Sequence, residues 1–134
     1  MKIIFVLLIS IFLSPILATS ADSQLVAENK ENKFYINKES IHHPSKNLVK
    51  AWVKTVPNRP VKILEKYMTC QLVYEEHNCK ERKFRFLQAT DYNSDGTNEE
   101  IISEPSVCID VPHIAPFERK HEYLCEDREL LSGS

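Results

Sequence analysis

The chain has 134 residues, with 17 Lys and Arg against 19 Asp and Glu, a formal charge of −2, four cysteines and two glycines. That length suits one domain, and the near-neutral balance excludes the concentrated basic face that nucleic-acid binding requires. With only Gly96 and Gly133, the sequence holds no Gly-rich phosphate loop and no dinucleotide fingerprint.

Met1-Lys2 precedes a nearly unbroken apolar run, Ile3 to Leu17, and then the small cluster Ala18-Thr19-Ser20-Ala21. One cation, an apolar block and small residues predict a secretory signal over residues 1–20, cleaved after Ser20 or Ala21. The block is short of the ~20 residues that span a bilayer, and Pro15 interrupts it, which weighs against an uncleaved anchor. No Cys stands there to carry an N-terminal lipid. Residues 21–134 then form one exported domain, with its core in about 25–125, working in the periplasm, at the cell surface or outside the cell, with no membrane insertion after processing.

In the exported part, Leu25-Val26-Ala27 reads as a short strand and Glu28 to Asn32 as a polar turn. Lys33 to Asn37 is a second strand, rich in β-formers. Ser40 to Asn47, with Pro44, is a loop. Leu48 to Val56 alternates, Val49, Ala51 and Val53 pointing one way and Lys50, Trp52 and Lys54 the other; Pro57 and Pro60 end it. Val61 to Met68 is ambiguous between strand and one or two helical turns. Beyond it Met68, Cys70, Leu72 and Tyr74 share a strand face. Arg82 to Tyr92 is the most apolar strand, with Phe84 and Phe86 on one face and Leu87 and Ala89 on the other, which places it centrally with cover on both sides. Asn93 to Asn98 is a hairpin turn, Asp95-Gly96 supplying the positive φ, and Glu99 to Ser103 is the return strand. Pro105 to Ile114 is a connection. Pro116 opens a helix through Cys125 whose Phe117, His121, Leu124 and Cys125 share a face, and Glu126 to Ser134 is a loose tail.

Cys70, Cys79, Cys108 and Cys125 all lie in the exported part. An even count in a small exported domain reads as two disulfides, in any of three connectivities, and the absence of a C-x2-C pair disfavours zinc. Asp91, Asn93, Asp95 and Gly96 match the start of a calcium loop, but its twelfth position is Ile102 rather than a bidentate Glu, so a plain hairpin turn is the reading. His42-His43 beside Pro44 reads as solvated, and His121 as packing. No nucleophile with a base and an orienting group can be assembled, so no catalytic residue, metal or cofactor is expected. Lys80, Arg82, Lys83 and Arg85 cluster among Glu75, Glu76 and Glu81 as a mixed hairpin. Trp52 either packs beneath the helix, where a covered face needs a large apolar residue, or joins Tyr35, Tyr67 and Tyr92 on a binding surface. The candidate binding residues are Trp52, Tyr35, Tyr92, Lys80 and Arg82.

Four segments, in order, resemble the surface-adhesin protein E family of bacterial exported proteins. They are Phe34-Tyr35-Ile36-Asn37 leading to Ser40-Ile41, with Asn37 where Asp is usual; Val49-Lys50-Ala51-Trp52-Val53-Lys54; Asn78-Cys79-Lys80-Glu81-Arg82-Lys83-Phe84-Arg85 running to Asp91-Tyr92-Asn93-Ser94-Asp95-Gly96; and a Pro-rich connection to a helix closing on Tyr123-Leu124-Cys125. The resemblance covers Leu25 to Cys125. It implies an α+β fold, a single antiparallel sheet of about six strands with one short C-terminal helix on a face. It also implies a disulfide from Cys79 to Cys125 that tethers the helix, leaving Cys70 and Cys108 for an extra bridge. The family's best-known member is a lipid-anchored outer-surface adhesin for host matrix and serum proteins; the anchoring Cys is missing here. The function expected is a non-enzymatic binding module with a protein partner, able to self-associate through a sheet edge at Leu25–Ala27 or Glu99–Ser103. A periplasmic accessory or inhibitor protein is the alternative, and a small exported hydrolase the enzyme-class competitor.

Overall fold

The computed structural model describes residues 23–132; the expected export signal lies outside the described residues. The elements are β1 (Ser23–Glu28), β2 (Asn32–Asn37), a 3-10 turn (Lys38–Ser40), β3 (His42–Ser45), β4 (Leu48–Pro57), β5 (Val61–Ile63), β6 (Lys66–Asn78), β7 (Lys83–Asn93), β8 (Asn98–Ile102), β9 (Ile109–Asp110) and α1 (Ala115–Ser132). All strands pair antiparallel in one sheet of order β1-β2-β4-β6-β7-β8, with β3, β5 and β9 adding onto β4, β6 and β7. The six-strand expectation matches the main path. The three further strands have four, three and two residues, too few to show a period of two in sequence.

Local chemistry sets the turns. Asn29 Oδ1 accepts the amides of Glu31 and Asn32 at 2.9 and 2.8 Å, an Asx turn that reverses the chain between β1 and β2. Asn58 Nδ2 donates to the carbonyls of Asn29 and Lys30, so the end of β4 is pinned to that turn. On β4, β2 pairs Val53–Pro57 while β3 reaches only Leu48 and Lys50. The Trp52 amide falls in the gap, and Ser40 Oγ accepts it at 2.9 Å, so the buried donor is satisfied. Gly96 takes φ +86 in the β7–β8 hairpin, as Asp-Gly predicts.

The helix covers one face of the sheet only. Val49, Ala51 and Val53 project beneath it and, with Ile36 and Leu124, form a core with no solvent exposure. Trp52, of opposite parity on β4, therefore lies on the other face, which decides against the reading that packs it beneath the helix. A bulge between Tyr74 and Glu75 of β6 leaves Leu87 of β7 without a partner. That one extra residue reverses the alternation, so Ala89, paired with Val73, shares the covered face with Phe84 and Phe86 instead of opposing them. α1 runs on to Ser132, where a loose tail is expected from Glu126; residues 126–132 are mostly good helix formers, and no glycine interrupts the chain after Gly96 until Gly133.

Cys79 and Cys125 form a disulfide with Cα atoms 5.7 Å apart, joining the β6–β7 turn to the helix. Cys70 and Cys108 are free, and the expected bridge between them is corrected by the register. Cys70 stands opposite Tyr92 of β7, whereas Ile109, beside Cys108, stands opposite Phe84. Eight residues of strand, roughly 25 Å at ~3.3 Å each, separate the two levels. A disulfide requires Cα atoms within about 7 Å.

Candidate functional site

The strand register assembles the uncovered face row by row. Trp52 pairs with Tyr74, which pairs with Gln88; one row along, Tyr35 pairs with Lys54, then Leu72 and Thr90; beyond lie Cys70 and Tyr92. Trp52 and Tyr74 stack with centroids 4.9 Å apart and planes 22° apart. On the other side of the stack Glu76 sits between Lys50 and Arg85, accepting from Arg85 Nε at 2.9 Å and lying 3.7 Å from Lys50 Nζ. The face is therefore an aromatic centre bordered by cations, with its one central carboxylate already neutralised. Such a surface offers flat apolar area together with charge.

Three of the candidate residues, Trp52, Tyr35 and Tyr92, meet on this face. Tyr74 belongs with them, although in sequence it shows only that it shares a strand face with Leu72. The remaining two lie elsewhere. Lys80 is exposed in the β6–β7 turn. Arg82, in the left-handed region at φ +54, turns toward the start of α1, where its Nη2 lies 3.3 Å from Glu118 Oε1 and 3.4 Å from His113 Nδ1. Of the two edge candidates, β8 presents Ile101 to solvent, while β1 is tied to the helix through Tyr123 Oη and Gln24 Oε1 at 3.1 Å.

The covered face holds a polar cluster that sequence reasoning missed. Glu75 and His77, on the same parity of β6 as Val73, are 1% exposed, and Lys120 and His121 of α1 are 4% exposed. Lys120 Nζ lies 3.2 Å from Glu75 Oε2 and over the rings of Phe34 and Phe117 at 5.3 and 5.0 Å. His77 Nε2 is 3.0 Å from Glu75 Oε1, and His77 Nδ1 is 2.9 Å from His121 Nδ1. Burial pushes the Glu75 carboxyl up, but the Lys120 ammonium and the His77 bonds outweigh it and hold the carboxyl below its usual range. Burial, with the nearby His77 and Arg82 charges, lowers the His121 imidazole to about 4. The signal available in sequence was the strict parity of Val73, Glu75 and His77, which places two polar groups where the core must lie; a partner from the helix could then have been sought.

The calcium-like turn is built as a hairpin: Gln71 Nε2 donates to Asp91, Asp95 accepts the amide of Thr97, and Asn93 Nδ2 donates to Thr97 Oγ1. Among the described residues no three His, Cys, Asp or Glu side chains are placed to hold a metal ion, and no helix is long and apolar enough to cross a membrane. A cleft of about 430 Å³ beside the β1–β2 turn is lined by Lys30, Glu31, Asn32, Asn58, Arg59, Pro60 and Val61; it lies away from both the aromatic face and the buried cluster.

The family model described as surface-adhesin protein E matches residues 23–128. Among solved structures, Haemophilus influenzae protein E in crystal form II superposes with a TM-score of 0.65 at 13% identity, covering 87% of this chain and 96% of that one. A further structure of protein E from the same organism gives 0.63 at 13% identity over 87% and 92%. Protein E from the non-typeable bacterium gives 0.58 at 13% identity over 84% and 82%. At that identity the likeness is one of fold. No match was found among curated proteins.

Proposed function

We propose that this chain, which belongs to the surface-adhesin protein E family, is an exported, non-enzymatic binding module that engages a host matrix or serum protein through the open face of its sheet. The observation that carries the reading is the stacked Trp52–Tyr74 pair at the centre of a face that α1 leaves bare. Aromatic anchors surrounded by weaker contacts are the usual source of interface energy, and Tyr35, Lys54, Lys50 and Arg85 border this one. The apolar run over Ile3–Leu17 supports export. The edges of β1 and β8 offer unpaired backbone groups for a second copy or a partner strand.

Two measurements test this reading. Protease treatment of intact cells should degrade the chain without lysis. Immobilised residues 21–134 should retain individual serum or matrix proteins, and Trp52→Ala should weaken retention at least tenfold, the loss typical of a hot-spot aromatic at about 1.4 kcal/mol or more. A chain degraded only after outer-membrane disruption points instead to a periplasmic accessory or inhibitor protein, and equal retention by Trp52→Ala removes the open face as the site.

A further inference from the structure

Three features that cost the fold stability meet at one end of the sheet. The first is Leu64, in the two-residue turn between β5 and β6. It takes φ +56, in the left-handed region that such turns ordinarily fill with Gly, Asn or Asp. It is also 88% exposed, more than any other large apolar residue described, so a bulky side chain is strained into solvent with little return from packing. The second is Asp91 of β7, only 8% exposed. Its Oδ1 accepts from Gln71 Nε2 at 2.8 Å, while Oδ2 has neither a hydrogen bond nor an ion-pairing cation among the described residues. Burying a carboxylate without a cation is costly. The third is the register: Asp91 stands directly opposite Glu99 of β8, and like charges so placed repel. All three residues line one cleft of about 290 Å³, with Ile63 and Leu64 as its apolar wall and Glu65, Asp91 and Glu99 as its carboxylates. Lys66 also borders it, but its ammonium is engaged by Asp95 and Thr97. Asp91 pairs with Gln71 and shares the parity of Ala89 and Val73, so its carboxylate lies on the side of the sheet opposite the Trp52–Tyr74 stack.

We propose that this cleft is a docking site for an arginine side chain presented by a partner protein. Its volume falls just below the ~300–1,000 Å³ of small-molecule sites and suits one long side chain. No three acidic groups converge there to hold a metal ion, so the cation that fits is an elongated one with an apolar stem. The methylene stem lies along Ile63 and Leu64, as long cationic side chains bury their stems on apolar surface. The guanidinium, a planar fork with five donors, bridges Asp91 Oδ2 and the Glu99 carboxylate across the two strands. Lysine, a point charge without a fork, matches a pair of carboxylates less well. Occupancy relieves every cost together: Leu64 is covered, the buried Asp91 charge is compensated, and a cation stands between Asp91 and Glu99. The site is separate from the Trp52 face and does not rest on it.

The test titrates the oxidised exported chain with the capped peptide Ac-Gly-Leu-Arg-Gly-NH2, and with the same peptide carrying citrulline, which keeps the shape of arginine without its charge. Amide shifts in nuclear magnetic resonance should centre on residues 63–66, 91 and 99, and the arginine peptide should bind about tenfold tighter than the citrulline one. Glu99→Gln should weaken binding about tenfold with a melting temperature unchanged or raised, since it removes a repulsion. Leu64→Gly should weaken binding several-fold with no fall in melting temperature, since glycine takes that φ without strain. Trp52→Ala should leave the titration unchanged, which separates this site from the open face. Equal affinity for the citrulline peptide, no saturable shift, shifts centred elsewhere, or undiminished binding by Glu99→Gln overturns the proposal. A lowered melting temperature in Glu99→Gln also overturns it, because the carboxylate pair would then serve the fold.

Discussion

Replacing Cys125 by Ser cuts the covalent tie between α1 and the β6–β7 turn. The bridge spans 46 residues of sequence. In the chain-entropy treatment a loop of that size is worth about 4 kcal/mol of stability, set against a total of ~5–15 kcal/mol for a domain. With an unfolding entropy near 2 cal/mol/K per residue over about 110 residues, the melting temperature should fall by roughly 15–20 °C. The loss should be concentrated at the helix. Without the bridge, α1 is held by Leu124 in the core, by Lys120 on Glu75 and by the Tyr123–Gln24 bond. Hydrogen exchange should therefore accelerate in residues 115–126 and in the amides of Val49, Ala51 and Val53 beneath them, while the β6–β7 pairing stays protected. Calorimetry and exchange mass spectrometry on Cys125→Ser check this. A melting point lowered by less than about 5 °C, or uniform acceleration over the sheet, would refute the tether.

Other outcomes are specific. Native protein should present two thiols to a chromogenic disulfide reagent, Cys108 reacting faster than half-buried Cys70; a count of zero would restore the second bridge. Stability should fall with acid in two stages. His121 binds its proton at about 4 in the fold against 6.5 ordinarily. The unfolded chain thus takes up the proton first, and stability present above pH ~6.5 is lost progressively down to ~4, by at most about 3 kcal/mol. Glu75, lowered in the fold, adds a loss as the pH falls below 4.5 through its folded value; chemical denaturation from pH 8 to 3 should show the first stage flattened in His121→Gln. Leu124→Ala, truncating a fully buried side chain, should cost about 2–5 kcal/mol in the same assay. Calcium should bind the Asp91–Gly96 turn no tighter than about 0.1 mM by calorimetry, since Asp91 and Asp95 are engaged by Gln71 and Thr97.

What the sequence makes legible follows from where one period governs. β4 shows its two faces because Val49, Ala51 and Val53 alternate with Lys50, Trp52 and Lys54 without interruption. Which face the helix takes does not follow from alternation alone, since Trp52 offers a large apolar side chain on one face and Val49, Ala51 and Val53 an apolar row on the other; it depends on the bridge geometry and on Leu124. In β7 the period breaks at Leu87, and a bulge cannot be seen in one strand alone, because it is a property of the pairing with Tyr74 and Glu75. Cys70–Cys108 fails for the same reason: the cysteines are distinguished by register, about eight residues apart along β7, and not by spacing. The buried Glu75–His77–His121–Lys120 cluster reads in sequence as ordinary surface charge because its partners come from β6 and from a helix 45 residues away. The aromatic face is half visible in sequence: Trp52, Tyr35 and Tyr92 stand out singly, and the register gathers them around Tyr74.

The central claim is that the open face binds and the covered face holds the fold. The direct measurement is the affinity of one retained serum or matrix protein for three forms of the chain: natural, Trp52→Ala and Leu124→Ala, each confirmed folded at the temperature used. The account predicts binding weakened at least tenfold by Trp52→Ala, with a melting point within a few degrees of the natural chain, and unchanged affinity for Leu124→Ala despite its lower stability. Affinity unchanged by Trp52→Ala, or lost in folded Leu124→Ala, contradicts it.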